Sequence, residues 1–278
     1  MRIVSLNKPP LIPLLTRAEL HELTRAKALL ENPGFTIRLA NRLGAPIEKG
    51  FALLPKGWAD TVNRAAKLSL LKALDVAMFT LNNRARHNSR EFFHKVLVGT
   101  SGGIGGAFGL AALPVELPLS TTIMLRSIAD IARSEGHDLK LMTTKLSCLE
   151  VFALGGRRGS DDAAESAYWM TRAALSKTVS EAASYLAEKG VLDTTAPAVI
   201  RLINNIAARF GLVVSEEVAA KAVPIVGAAG GSVINVLFLK HFQDMARGHF
   251  IVMRLEDKYG FEMVQAAYQV LPNTNARA

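Results

Sequence analysis

The chain has 278 residues, of which 50% are hydrophobic and 21% charged, a balance too apolar for a disordered polymer and long enough to bury a substantial core. A single cysteine, Cys148, excludes an intrachain disulfide scaffold. The formal net charge of +9 lies wholly in residues 1–95, where 16 basic residues face 7 acidic ones, whereas residues 96–278 carry 17 of each.

The first segment, MRIVSLNKPPLIPLL, is interrupted by Pro9, Pro10 and Pro13 and lacks the apolar run and small-residue cleavage site of a secretory leader, so a cytoplasmic location is expected. In TRAELHELTRAKALLEN, Thr16 followed by Glu19 reads as a capping box, with Leu20, Leu23, Ala26, Leu29 and Leu30 on one helix face and Pro33 as the stop. After Pro55, the positions Val62, Ala65, Ala66, Leu70, Ala73, Leu74 and Ala77 form a second apolar stripe at helical spacing. Further helices are expected over 119–135, 139–154, 161–188, 196–210 and 240–258. A hinge is expected at GGRRGSDD (155–162), with Ser160 or Asp161 capping the helix that follows. No segment alternates as a strand does. The expected fold is therefore an all-α, compact multi-helix bundle. It divides into a basic N-terminal helical extension (1–55), a helical domain (56–270) and a short tail (271–278).

Two stretches stand apart. Residues 96–125 hold one ionisable side chain, Glu116, and residues 222–239 hold none; Lys95 and Arg126 bound the first, Lys221 and Lys240 the second. Eighteen residues of helix reach roughly 27 Å, short of a full bilayer core of about 30 Å. Pro114 and Pro118 are expected to divide the longer stretch into the arms of a hairpin with Glu116 at its turn. The glycines fall four apart, Gly99 with Gly103, Gly102 with Gly106, Gly105 with Gly109 and Gly227 with Gly231, a small-residue pattern that lets helices approach closely. Asn235 is the one strong side-chain amide in the second stretch and is expected to hydrogen-bond a neighbouring helix. The cations Arg84, Arg86, Arg90 and Lys95 suit an anionic membrane surface. Nucleic acid is the weaker reading, since no zinc-finger spacing or aromatic–basic RNA signature is present.

Catalytic patterns are thin. GTSGG (99–103) matches G-x-S-x-G formally, which makes Ser101 the nucleophile of an alternative serine hydrolase reading, with Asp130 or Asp138 and His241 or His249 as partners. That motif needs a strand before its turn, for which HKVLV (94–98) is the one candidate in an otherwise helical chain. No Lys-Ser or Lys-Thr follows the glycines, and Phe108 occupies the third glycine position of a dinucleotide fingerprint. Glu91 with His94, and His241 with Asp244, are single helical pairs without the further ligands a metal needs. Neither a cofactor nor a metal is expected.

The stretches GGIGGAFGLAALPVELPLSTTIMLRSIADIARSEGHDL, LSCLEVFALGG and VPIVGAAGGSVINVLFLKHFQDMARGHFIVMRLEDKYG resemble the EcsC protein family. The likeness is carried by Pro114, Glu116, Pro118, Gly136, Asp138, Pro224, Gly227 and Asn235, and it extends over residues 56–260. Glu116 stands where the family pattern has aspartate, and SEGHDL lacks the tyrosine before its glycine. The resemblance implies a bacterial protein near a membrane, through a namesake whose operon holds an ABC transporter, and it implies no particular chemistry. The expectation is a non-enzymatic, membrane-associated accessory protein at the inner membrane, peripheral or partly inserted. Its partner would be an anionic membrane surface or a membrane protein, with self-association through the glycine faces as a further option. A soluble helical interaction module, with both glycine-rich stretches in its core, is the other alternative to the hydrolase.

Overall fold

Thr16 opens the first helix as its sequence predicts. Its hydroxyl and its backbone N–H donate to Glu19 Oε2 at 2.7 and 2.9 Å, and the Glu19 N–H donates back to Thr16 Oγ1 at 3.3 Å, a reciprocal capping box. The structure, a computed structural model, describes residues 15–31, 47–80, 109–155, 164–189 and 193–272. Among these the regular elements are α1 (Arg17–Glu31), α2 (Ile47–Ala52), α3 (Trp58–Thr80), α4 (Gly109–Ser134), α5 (Met142–Glu150) with a 3-10 turn (Val151–Ala153), α6 (Ala164–Lys189), α7 (Pro197–Ala222), α8 (Pro224–Tyr259) and α9 (Phe261–Val270). None is a strand, and the all-α bundle is confirmed.

The stripes foreseen on α1 and α3 are the ones that pack. Leu23, Ala26 and Leu30 of α1 and all seven positions from Val62 to Ala77 of α3 are buried, within a single cluster that runs from Leu15 to Tyr268. Thus α1, expected as part of an extension, is a wall of the same core and lies against α8. Its Lys27 is buried and donates to the carbonyls of Tyr268 (3.1 Å) and Leu271 (2.9 Å), satisfying acceptors at the C-terminal end of α9. At the centre, the Phe152 ring lies 5.1 Å from that of Phe210 and 5.3 Å from that of Phe242, within the range of favourable tilted pairs.

Two expectations are corrected. Pro114 and Pro118 do not break the chain into a hairpin: α4 runs through both, and Glu116 sits inside it. The prolines are four apart, so both missing N–H donors fall on one side of the helix and the hydrogen-bond ladder opposite stays continuous. Leu113, Leu117 and Pro118 are buried, and packing of this kind outweighs a local helix-breaking preference. The second uncharged stretch is likewise no separate segment. Its residues 224–239 form the first half of α8, 36 residues or about 54 Å long, which begins with Pro224 in its first turn and ends at Gly260, φ +84°. Most of the expected hinge, including Ser160 and Asp161, lies outside the described residues.

Gly155, the first residue of that hinge, has φ +78°, and a β-carbon there would stand 2.6 Å from the buried His241 ring. Gly155→Ala is therefore expected to destabilise by about 1–2 kcal/mol through backbone strain and displacement of His241. Urea unfolding checks this, and an unchanged midpoint would show that the ring yields freely.

Candidate functional site

Three contacts set how α4 and α8 lie. Gln243 Nε2 on α8 donates to Ser127 Oγ on α4 (2.8 Å), Arg254 reaches Glu135 (3.4 Å), and His137, just beyond α4, lies 3.0 Å from the Phe250 carbonyl. Partners advance together along both helices, so α4 and α8 run parallel. α7 and α8 fold back on each other across the single residue Val223, with Phe210 meeting Phe238 and Phe242 at centroid distances of 6.4 and 5.7 Å. Gly50 of α2 stands against the Ala219 backbone, where a β-carbon would fall on the carbonyl oxygen, and Asn63 of α3 lies against Gly211. One end of the bundle thus gathers α2, the start of α3, the starts of α4 and α8, and the last turn of α7.

This end exposes apolar side chains. Val115 on α4 is 78% exposed, and Leu119 on α4, Val233 and Val236 on α8, and Leu53 after α2 are also exposed. The α4–α8 pairings place Val115 and Leu119 at the height of Val233 and Val236. Lys49 on α2, Lys56 before α3 and Lys240 on α8 are exposed as well. Gly227 and Gly231 belong to the first turns of α8, Gly109 opens α4, and Asn235 is half-buried on α8.

Below this surface lies an ion network. Lys221 Nζ, in the last turn of α7, is 2.8 Å from Glu217 Oε1 one turn earlier and 3.3 Å from Glu116 Oε1 on α4. Glu217 is 6% exposed. Burial pushes its carboxyl up and Lys221 only partly draws it back. Burial works to lower the Lys221 ammonium, but Glu217 and Glu116 outweigh it and hold the ammonium above its ordinary value. The network pins α4 to the end of α7, and the Glu116 carboxylate faces a cation on a neighbouring helix of its own chain.

The other expected residues are dispersed. Ser101, Gly99, Gly102, Gly103, Gly105, Gly106, Arg84, Arg86, Arg90, Lys95, Glu91 and His94 lie outside the described residues. Asp130 pairs with Arg133 (3.1 Å), and Asp138 accepts the Lys140 N–H (2.9 Å). His241 and His249 are buried in the interior, and Asp244 pairs with Lys240 (3.1 Å). No group of three or more potential metal ligands occurs among the described residues. Gly136, φ +94°, ends α4, with the His137 N–H bonded to the Ala132 carbonyl and the Gly136 N–H to that of Arg133, the pattern of a Schellman cap. The Gly136–Asp138 motif is therefore a helix stop followed by a turn. One helix among the described residues, Pro197–Ala222, is long and apolar enough to cross a membrane, and half of its apolar window is buried inside the bundle.

Sequence reasoning noted Lys221 only as a boundary and passed over Glu217; the i, i+4 spacing of the two within an apolar run was the available signal. It also missed Arg172 and Glu256, whose bidentate pairing (2.7 and 2.8 Å) joins α6 to α8 across 84 residues of sequence.

Fold and site together define a helical bundle with an exposed apolar end braced by a semi-buried ion network. The model of the EcsC protein family matches residues 18–255, and the chain belongs to that family. No curated protein and no solved structure matches it.

Proposed function

We propose that this EcsC family member is a membrane-associated, non-enzymatic accessory protein that seats the shared end of α4 and α8 on an anionic lipid surface at the cytoplasmic face of the membrane. One observation carries the reading: α4 and α8, about a hundred residues apart in sequence and each holding part of an uncharged stretch, start side by side and present Val115, Leu119, Val233 and Val236 outward. Each such side chain leaving water contributes roughly 1 kcal/mol when partly inserted. Each lysine near an anionic surface adds about 1 kcal/mol, so Lys49, Lys56 and Lys240 complement the apolar patch. The basic excess of residues 1–95 acts in the same direction at longer range.

The test is co-sedimentation of the full chain with vesicles of phosphatidylcholine alone or mixed with phosphatidylglycerol. Binding is expected only to the mixed vesicles and is expected to weaken with salt. Replacing Val115, Leu119, Val233 and Val236 together by serine should reduce it at least about tenfold with helicity unchanged. Glutamine at Arg84, Arg86, Arg90 and Lys95 should flatten the salt dependence. Equal binding by the serine variant would sink the reading, as would membrane recruitment that needs an integral protein.

A further inference from the structure

α3 turns apolar side chains to solvent as well as to the core. Its inward stripe, from Val62 to Ala77, is buried in the bundle, chiefly against α4 and α7. On the opposite side Leu68 is 51% exposed and Phe79 73%, with Leu71 and Met78 half-buried beside them. Single exposed leucines are ordinary; a second apolar seam at a regular interval is not. Thr61, Arg64, Leu68, Leu71, Asp75 and Met78 follow one another at alternating steps of three and four residues, and none of them is buried. That interval lays them along one line of the helix, the line through which two helices pair in a coiled coil.

The order of charges along the seam says what fits it. From the start of α3 it runs cation, leucine, leucine, anion: Arg64, Leu68, Leu71 and Asp75, at steps of four, three and four. This order is complementary to its own reverse. A second α3 lying antiparallel, with the two-fold axis between Leu68 and Leu71, sets Leu68 of each copy against Leu71 of the other and Arg64 of each against Asp75 of the other. Thr61 then faces Met78, and Phe79 comes beside the start of the other helix, where Trp58 is half-buried. A parallel pair would instead oppose Arg64 to Arg64 and Asp75 to Asp75, a repulsion at both ends. Arg64 and Asp75 are exposed, and no ion pair among the described residues engages either. Eleven residues separate them, about 16 Å along the helix, so they cannot pair with each other. Lys67 and Lys72 stand at the edges of the seam, where long stems cover an apolar contact while the ammonium stays in water.

We propose that this outward face of α3 is a self-association surface, through which two copies of the chain form a two-fold dimer by an antiparallel α3–α3 contact. Because α3 starts at the apolar end of the bundle, the pairing points the apolar ends of the two copies in opposite directions. The two copies therefore cannot sit side by side on one bilayer through those ends.

The test is sedimentation equilibrium of the full chain without lipid, over about 1–100 μM protein at about 150 mM salt. A reversible monomer–dimer equilibrium is expected. Leu68→Glu, at a half-exposed position, should weaken it at least about tenfold with helicity unchanged. Arg64→Asp should weaken it by a similar factor of about ten, since the two-fold axis places the opposed acids in the contact twice. Arg64→Asp combined with Asp75→Arg restores the match and should return the dimer to within about threefold of wild type. That rescue can arise only between copies. The serine variant of Val115, Leu119, Val233 and Val236 should dimerise as wild type does, which keeps this contact separable from lipid binding. A chain that stays monomeric throughout the range would overturn the proposal. So would a dimer indifferent to Leu68→Glu, a charge exchange that fails to rescue, or a dimer lost in the serine variant.

Discussion

Arg172→Met is expected to destabilise the protein by about 3–5 kcal/mol at neutral pH, the usual cost of removing one partner from a buried ion pair. Arg172 is 17% exposed and Glu256 11%, and the geometry is bidentate at 2.7 and 2.8 Å, so little water screens the pair. Methionine roughly preserves the apolar stem against Tyr168 and Trp169 but strands the Glu256 carboxylate and removes the only cation acting on Glu150 among the described residues. The cost should shrink as pH is lowered, because the stranded carboxyls can then take up protons. Arg172→Lys should fall between, since an ammonium keeps the charge and loses the planar fork. Urea unfolding followed by circular dichroism measures both. If Arg172→Met lies within about 1 kcal/mol of wild type at neutral pH, the pair contributes nothing of this size and water reaches the site.

The residues behind that prediction show which part of this protein a reader of its sequence can see. The capping box at Thr16 and Glu19 and the stripes of α1 and α3 were legible because the information is local: a cap three residues wide, an apolar repeat of three and four. Pro114 and Pro118 misled for the same reason. The local rule states the cost of a missing N–H, whereas the gain comes from burying Leu113 and Leu117 in a core assembled from distant segments. The short α2 and α9 escaped notice, since six and ten residues carry too little periodicity to register. Charge pairing is the least legible layer. Arg172 with Glu256, Glu116 with Lys221 and Lys27 with the end of α9 join residues 84, 105 and more than 240 positions apart, and nothing local to either partner marks it. The glycine-rich stretches were legible as a pair of alike composition, and the parallel course of α4 and α8 is a fact of packing alone.

Lys221→Met tests how the apolar end is braced, with an expected cost of about 2–3 kcal/mol, below the full penalty of a buried pair because Lys221 is 30% exposed. The two carboxylates it holds are unequal. Glu217, 6% exposed and 2.8 Å from the ammonium, loses its charge partner when Lys221 is removed, whereas Glu116 is less buried and sits at 3.3 Å. Glu116→Gln should therefore cost less than about 1 kcal/mol. Glu217→Gln in the Lys221→Met background should restore most of the loss, because it removes the uncompensated charge. The double-mutant cycle is expected to assign the coupling to the Lys221–Glu217 pair and little of it to Glu116. A Glu116→Gln cost equal to that of Lys221→Met would show that α4 is pinned chiefly by its own acid. Vesicle binding separates stability from function: Glu116→Gln, folded and nearly as stable as wild type, should bind mixed vesicles undiminished if the acid only braces α4 beneath the apolar surface. A loss of binding at intact stability would instead place Glu116 among the groups that meet the partner.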